Sequence, residues 1–360
     1  MRTLVVQTAW LGDTVFTSAL VDGLTRAGHT VDLCVSPRGK DIALAMPAAR
    51  AVHVYDKRGA DRGVRGLWRM AARLRAERYD LAVLPHQSVR SAALAFLARI
   101  PRRIGFARAA GSFLYTSGVR APSIARVSNP RLRRAEPVGS PTPYDAFGAG
   151  APRGAPTDGA PGGGFLEREG ELLAALDAPP GEMRLRARPE WIEAARVALG
   201  DGKRRFAALC IGSEWETKIW PPERYAGLAR ILAGTGLTPV LMGGPREREL
   251  AARIRGCVDT VGNEVGEALG ILSLSTLCVG GDSGLVHAAR ALGVPTVVLF
   301  GPTSSAVHDF GPRTQPVSLG LDCSPCSAHG GRRCPLGHHR CMRDLDEERV
   351  ARACHEVLVP

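Results

Sequence analysis

From Thr276 to Phe300 the chain reads as a short apolar strand, a polar Gly-rich turn at Gly280 to Gly284, a helix from about Leu285 to Leu292, and a second buried strand over Thr296–Phe300. Strand, turn, helix and strand in that order form a βαβ unit, whose two strands lie parallel because the helix crosses over between them. The same alternation starts at the N-terminus. A strand over residues 3–7 leads through Gly12-Asp13-Thr14 into a helix over Val15–Ala27, and a second strand runs over His29–Val35. Further units are expected over residues 51–106, and a second series begins at Arg205, with strands over Phe206–Ile211 and Thr238–Met242. Such alternation builds a parallel sheet covered on both faces, so the fold class is α/β.

At 360 residues the chain is long enough for two such domains. The expected division is 1–180, 181–343 and a terminal helical segment 344–360, with the ligand cleft between the halves where strand C-termini face each other. Between about Asn129 and Gly164 the sequence turns to Pro, Gly, Ala and Arg without periodicity, which reads as a flexible insertion. No apolar run approaches the roughly 18 residues of a membrane span, and the first residues run into a strand and not a signal peptide, so the cytoplasm is the expected location.

The formal charge is +12, from 47 Lys and Arg against 35 Asp and Glu. Two readings stand side by side: an Arg-rich proteome, or an anionic partner such as a membrane surface or a phosphorylated glycolipid. Nucleic acid is not expected as a partner, since no zinc-finger spacing or RNP aromatics occur and aromatic residues are 5% of the chain.

Three loops carry candidate chemistry. Asp13 follows the first strand, where a carboxylate facing the cleft suits a general base as well as a plain helix cap. The loop from Gly212 to Glu223 brings Ser213, Thr217 and Lys218 between a buried strand and a Pro-started helix, a set able to meet phosphates, although it lacks the Gly-Lys-Ser/Thr ending of a P-loop. Asp282, Ser283, Gly284 and His287 combine polar side chains with a helix N-terminus, which suits a diphosphate or sugar hydroxyls. A fourth group, Cys323, Cys326, Cys334 and Cys341 with His329, His338 and His339 interleaved, has the density of a structural metal site. Its spacing matches no standard zinc module, and reduced thiols or a redox-prone cluster fit it equally.

With these positions laid out, nearly the whole chain resembles glycosyltransferase family 9, the ADP-heptose:lipopolysaccharide heptosyltransferases. Five ordered blocks carry the resemblance: Leu11-Gly12-Asp13-Thr14, residues 79–85 through 102–106, residues 217–225, residues 243–250, and residues 281–303. The Cys-rich tail is similar to that of the type II subgroup. The resemblance implies a GT-B fold, two Rossmann-like domains with the C-terminal helix returning toward the first. It also implies inverting transfer of heptose from ADP-L-glycero-D-manno-heptose to the lipopolysaccharide inner core, without catalytic metal or other cofactor, by an enzyme peripheral to the inner face of the cytoplasmic membrane.

By the same resemblance Asp13 matches the general base and Lys218 the group that neutralises the diphosphate. Asp282, Ser283, Gly284 and His287 hold the donor, and Glu247, in the Gly-Gly-Pro loop, matches an acidic group on the nucleotide ribose. The chain departs from the family at Ala19, where Pro is frequent, and in the length of the Pro/Gly-rich insertion. A different donor or acceptor within the family, or a non-catalytic binding protein, are the alternative readings.

Overall fold

The computed structural model describes residues 1–121, 164–200 and 204–359. Most of the Pro/Gly-rich insertion expected at 129–164 lies outside the described residues. The first half runs β1 (Arg2–Gln7), α1 (Leu11–Arg26), β2 (Thr30–Val35), α2 (Lys40–Leu44), β3 (Ala49–Val54), α3 (Gly63–Ala76), β4 (Leu81–Leu84), α4 (Val89–Leu97), β5 (Arg102–Phe106) and β6 (Ser117–Val119). After the described residues resume, α5 (Phe165–Ala174) packs on α1, and α6 (Pro189–Leu199) packs on α9 (Val265–Leu274) of the second half. The remaining elements are β7 (Arg205–Cys210), α7 (Pro222–Gly234), β8 (Leu237–Met242), α8 (Arg248–Ala251), β9 (Val258–Asp259), β10 (Ser275–Gly281), α10 (Gly284–Ala291), β11 (Thr296–Leu299), β12 (Thr314–Val317), α11 (Arg340–Arg343) and α12 (Glu347–Leu358).

Two six-stranded sheets result, with strand orders β3-β2-β1-β4-β5-β6 and β12-β11-β10-β7-β8-β9, and every pair is parallel. Both have the doubly wound order in which the chain reverses direction beside the first strand. The reversals fall between β1 and β4 and between β7 and β10, and a crevice opens at the strand C-termini there. The central strands are buried on both faces, as in Leu4, Val5 and Val6 of β1 and Leu277, Cys278 and Val279 of β10, which is why they read as continuous apolar runs and not as alternating ones.

Three local expectations need correction. The first helix begins at Leu11, so Gly12-Asp13-Thr14 is its first turn and not a loop before it. The residue spacing predicts a helix over Arg246–Arg255, but the chain forms a 3-10 turn at Pro245–Glu247 followed by the single-turn α8. The C-terminal helix α12 packs on α7 and on strands β10–β12 of the second half, not back toward the first. Its apolar face, Val350, Ala353 and Cys354, is buried there.

Candidate active site

The two crevices face each other across helix N-termini. A Cβ built on Gly284, the first residue of α10, would stand 2.4 Å from a methyl of Leu11 and 3.1 Å from the Gly12 nitrogen. Glycine is therefore required where the N-terminus of α10 meets that of α1. Each helix end carries unpaired N–H groups and a positive partial charge, so their meeting point suits an anion.

Asp13 is the third residue of α1, and its carboxylate accepts the Trp10 N–H at 3.2 Å. Burial raises its pKa, while the Trp10 N–H, Arg168 and Lys218 oppose that rise. A carboxylate moved upward from its ordinary range is a stronger base once ionised. Lys218 lies in a 3-10 turn (Glu216–Lys218) after β7, and its ammonium is 2.7 Å from Asp282 Oδ2.

Asp282 ends the β10 loop and is buried, with four neighbours on its two oxygens. Lys218 and the Thr303 hydroxyl donate to Oδ2, the latter at 2.9 Å, while His287 Nε2 lies 2.8 Å and His308 Nε2 3.5 Å from Oδ1. Burial alone would raise its pKa, but the His287 hydrogen bond and the Lys218 charge bring it well below the usual carboxylate range. His287 has a fixed tautomer. Arg290 is only a donor and sits 3.1 Å from Nδ1, so Nδ1 accepts and Nε2 carries the proton given to Asp282. Burial lowers the His287 pKa and takes that of His308 to about 3, so both rings are neutral at physiological pH.

Asp282, His287 and His308 form the one group among the described residues whose metal-ligand atoms all approach within 4.8 Å. Their surroundings favour a different use, because Lys218 and Arg290 already bring two positive charges onto the same atoms. The carboxylate serves as the anchor that fixes the Lys218 ammonium at the cleft.

The other expected residues divide. Ser283 is the N-cap residue of α10 and its side chain caps no N–H, which leaves the hydroxyl available at the helix end. Ser213 accepts the Trp215 N–H at 3.3 Å. Glu247 leans over Gly212 and Gly243, where any Cβ would collide with it, and burial raises its pKa. Thr217 departs from expectation. Its hydroxyl donates to the Gly331 carbonyl at 2.9 Å and accepts the Gly331 N–H at 2.8 Å, so it ties the Lys218 turn to the Cys-rich segment instead of facing a donor.

His339 Nε2 adds a 2.7 Å hydrogen bond to the Thr217 carbonyl, and Gly330 packs against Trp215 and Lys218 Cε. The four thiols of that segment are free, with burial pushing Cys326 up to about 11 and Cys341 up to about 12. No three of their sulfurs gather within 4.8 Å.

Sequence reasoning missed Arg168, Glu169, Thr303, Arg290 and His308. Thr303 and Arg290 lie inside the segment 279–303 and carried a positional signal. Arg168 and Glu169 sit on an amphipathic helix whose burial depends on docking against α1, and His308 lies in a loop without periodicity, so none of the three had a local signal.

Residues 165–336 match the family model described as glycosyltransferase family 9 (heptosyltransferase). Lipopolysaccharide heptosyltransferase 1 of Pseudomonas aeruginosa is 30% identical over 97% of this chain and 92% of its own. Lipooligosaccharide heptosyltransferase 2 of Haemophilus influenzae is 26% identical over 84% of each chain. The solved structure of Escherichia coli ADP-heptose lps heptosyltransferase II has the same fold, with a TM-score of 0.70 at 22% identity over 100% of this chain and 99% of that one. Relatives of both numbered types are thus similar to this chain.

Proposed function

This chain belongs to glycosyltransferase family 9, the heptosyltransferases, and is a glycosyltransferase; from that premise we propose that it transfers heptose from ADP-L-glycero-D-manno-heptose to the lipopolysaccharide inner core. In this reading the Asp13 carboxylate takes the proton of an acceptor hydroxyl as its oxygen attacks the anomeric carbon. The bond from that carbon to the diphosphate oxygen breaks on the opposite face, inverting the configuration, and ADP leaves. Lys218, held by Asp282, and the N–H groups at the start of α10 balance the charge that develops on the departing diphosphate. Ser283 and Ser213 are placed to meet phosphate or sugar oxygens, and Glu247 to accept from the ribose hydroxyls. No step in this scheme requires a metal ion.

The observation that carries the proposal is the meeting of Asp13 from the first half with Lys218 and Asp282 from the second, over helix ends that approach as closely as Gly12 and Gly284 do. The acceptor is membrane-embedded, so the enzyme works from the cytoplasmic face of the inner membrane as a peripheral protein. Among the described residues no helix is long and apolar enough to cross a membrane.

Asp13→Asn keeps the shape of the first turn but removes the base, and turnover is expected to fall by about 10²–10⁴-fold with ADP affinity largely retained. Undiminished turnover in that variant would falsify the base assignment. A panel of nucleotide sugars tests the donor, with preference for a UDP- or GDP-sugar counting against ADP-heptose.

A further inference from the structure

The positive charge of this chain is not spread over it. Residues 57–120 hold 14 Lys and Arg against three acidic residues, a net +11 out of the +12 of the whole chain. An Arg-rich composition by itself would distribute that excess, so its confinement to one part of the first half calls for a local cause. The same segment contains five of the nine large hydrophobic side chains exposed among the described residues: Val64 (68% exposed), Trp68 (56%), Val89 (44%), Phe96 (49%) and Phe113 (74%).

These side chains belong to one continuous face. Arg90, on α4, donates to the carbonyls of Asp61 and Gly63 at 3.1 and 2.8 Å, which draws the start of α3 with Val64 against the start of α4 with Val89. Gly111 lies so close to Val89 and Ala92 that a Cβ there would collide, which brings the turn of Phe113 to the same place. Arg103 stacks over Phe96 at 5.5 Å and donates to the Leu114 carbonyl at 2.7 Å, closing the other side. Trp68 stands one helical turn beyond Val64 on α3. Arg58, Arg62, Arg65 and Arg108 are exposed around these residues.

The face borders the cleft. The loops before α3 and α4 leave the C-terminal ends of β3 and β4, the same sheet edge from which α1 carries Asp13. Lys57 Nζ reaches the Thr8 carbonyl at 3.1 Å, and His86 Nδ1 lies 3.2 Å from the Thr8 hydroxyl, so this rim and the floor of the cleft are in contact.

We propose that this face of α3, α4 and the Phe113 turn docks on a bilayer rich in anionic headgroups, with Trp68, Val64, Val89 and Phe113 entering the interface among arginines that meet the phosphates. The assignment deepens the membrane contact proposed above. Protruding aliphatic groups such as Val64 and Val89 gain from a hydrocarbon boundary, whereas a nucleic-acid surface offers them nothing to stack on. Trp is at home at the headgroup level, and each arginine near an anionic surface strengthens attachment several-fold. Docked this way, the bilayer lies beside the cleft, and an acceptor anchored in it reaches Asp13 without leaving the membrane.

The test is pelleting of the full chain with vesicles of phosphatidylcholine alone or with one-third phosphatidylglycerol, measured without donor or acceptor. Wild type is expected to pellet only with the anionic vesicles. Replacing Trp68 and Phe113 together by Ser should weaken that binding by about tenfold, and Arg58→Glu, Arg62→Glu and Arg65→Glu combined by about a hundredfold or more. Both variants should retain wild-type turnover on a detergent-dispersed acceptor, which shows that the fold is intact.

Failure of wild type to bind anionic vesicles overturns the proposal, as does equal pelleting of wild type and both variants. Salt-sensitive binding of this face to duplex DNA or single-stranded RNA, with none to vesicles, also overturns it. Since pelleting needs no chemistry, its outcome is separate from that of the Asp13→Asn assay.

Discussion

Glu169 illustrates how much a single buried proton controls beside the candidate base. Thr17 has one hydroxyl hydrogen, and its best acceptor is the Asp13 carbonyl at 2.9 Å. Gln7 donates to the same hydroxyl at 3.0 Å, its amide orientation fixed because Gln7 Oε1 accepts the Ala9 N–H. Glu169 Oε1, 3.4 Å away, is then best accommodated by bringing a proton of its own. Burial agrees, raising the Glu169 pKa from an ordinary 4.5 to about 8 against the opposing pull of the Arg168 charge.

Asp13 and Glu169 are thus neighbouring carboxyl groups that burial pushes upward together, and Glu169 is the one that brings a proton to the Thr17 hydroxyl. In the unfolded chain Glu169 ionises near 4.5, while in the folded chain it holds its proton to about 8. Stability therefore falls as pH rises between those values and levels off above them. Glu169→Gln removes the ionisable group and keeps a donor. It should match wild type in urea denaturation at pH 4 and exceed it by about 4–5 kcal/mol at pH 8.5. A difference that does not change with pH would sink this account.

At the scale of elements, the contact between α1 and α10 is the tightest constraint. Gly284→Ala forces a methyl against Leu11 and the Gly12 backbone, and either α10 or α1 has to shift. We expect a loss of about 1–3 kcal/mol in stability and a larger proportional loss in ADP affinity, read by denaturation and calorimetry. Ala substitution at Gly293, with nothing near it but a positive φ of 77°, should cost stability without touching ADP affinity.

The central strands and long helices were legible because burial on two faces leaves an unbroken apolar run and one-sided burial leaves a 3.6-residue period. The strands expected over Phe206–Ile211 and Thr238–Met242 are found at Arg205–Cys210 and Leu237–Met242, within a residue of their sequence reading. The two strands that went unread, β6 and β12, are both sheet edges. One is Ser-Gly-Val and largely exposed, and the other contains Pro316, which an edge tolerates and a central strand does not. The start of α1 was misread because Trp10 occupies the cap position, where no capping side chain announces a helix. In the candidate site, loop residues next to strand ends were legible, while Glu169 and His308 were not, since distant elements bury them.

For the whole molecule, the site is shared between halves that meet through α1 and α10, and through the Gly266 N–H donated to Asp41 at 3.0 Å. A ligand bound at that junction should stabilise both halves together. ADP at a hundred times its Kd is expected to add about 2.7 kcal/mol, seen as one upward-shifted thermal transition that is insensitive to EDTA. Two transitions, of which ADP moves only one, would place the nucleotide wholly within a single half.

The clamp on Lys218 has a consequence in the order of synthesis. Thr217 is secured by Gly331 and His339, which lie within the last tenth of the chain. Both α1 with its Asp13 and the strands flanking Lys218 leave the ribosome long before the residues that hold the lysine turn. A product cut short after β12 would retain every strand of both sheets while lacking the support of its cation. Translation past His339 is thereby expected to be a condition for chemistry and not only for stability.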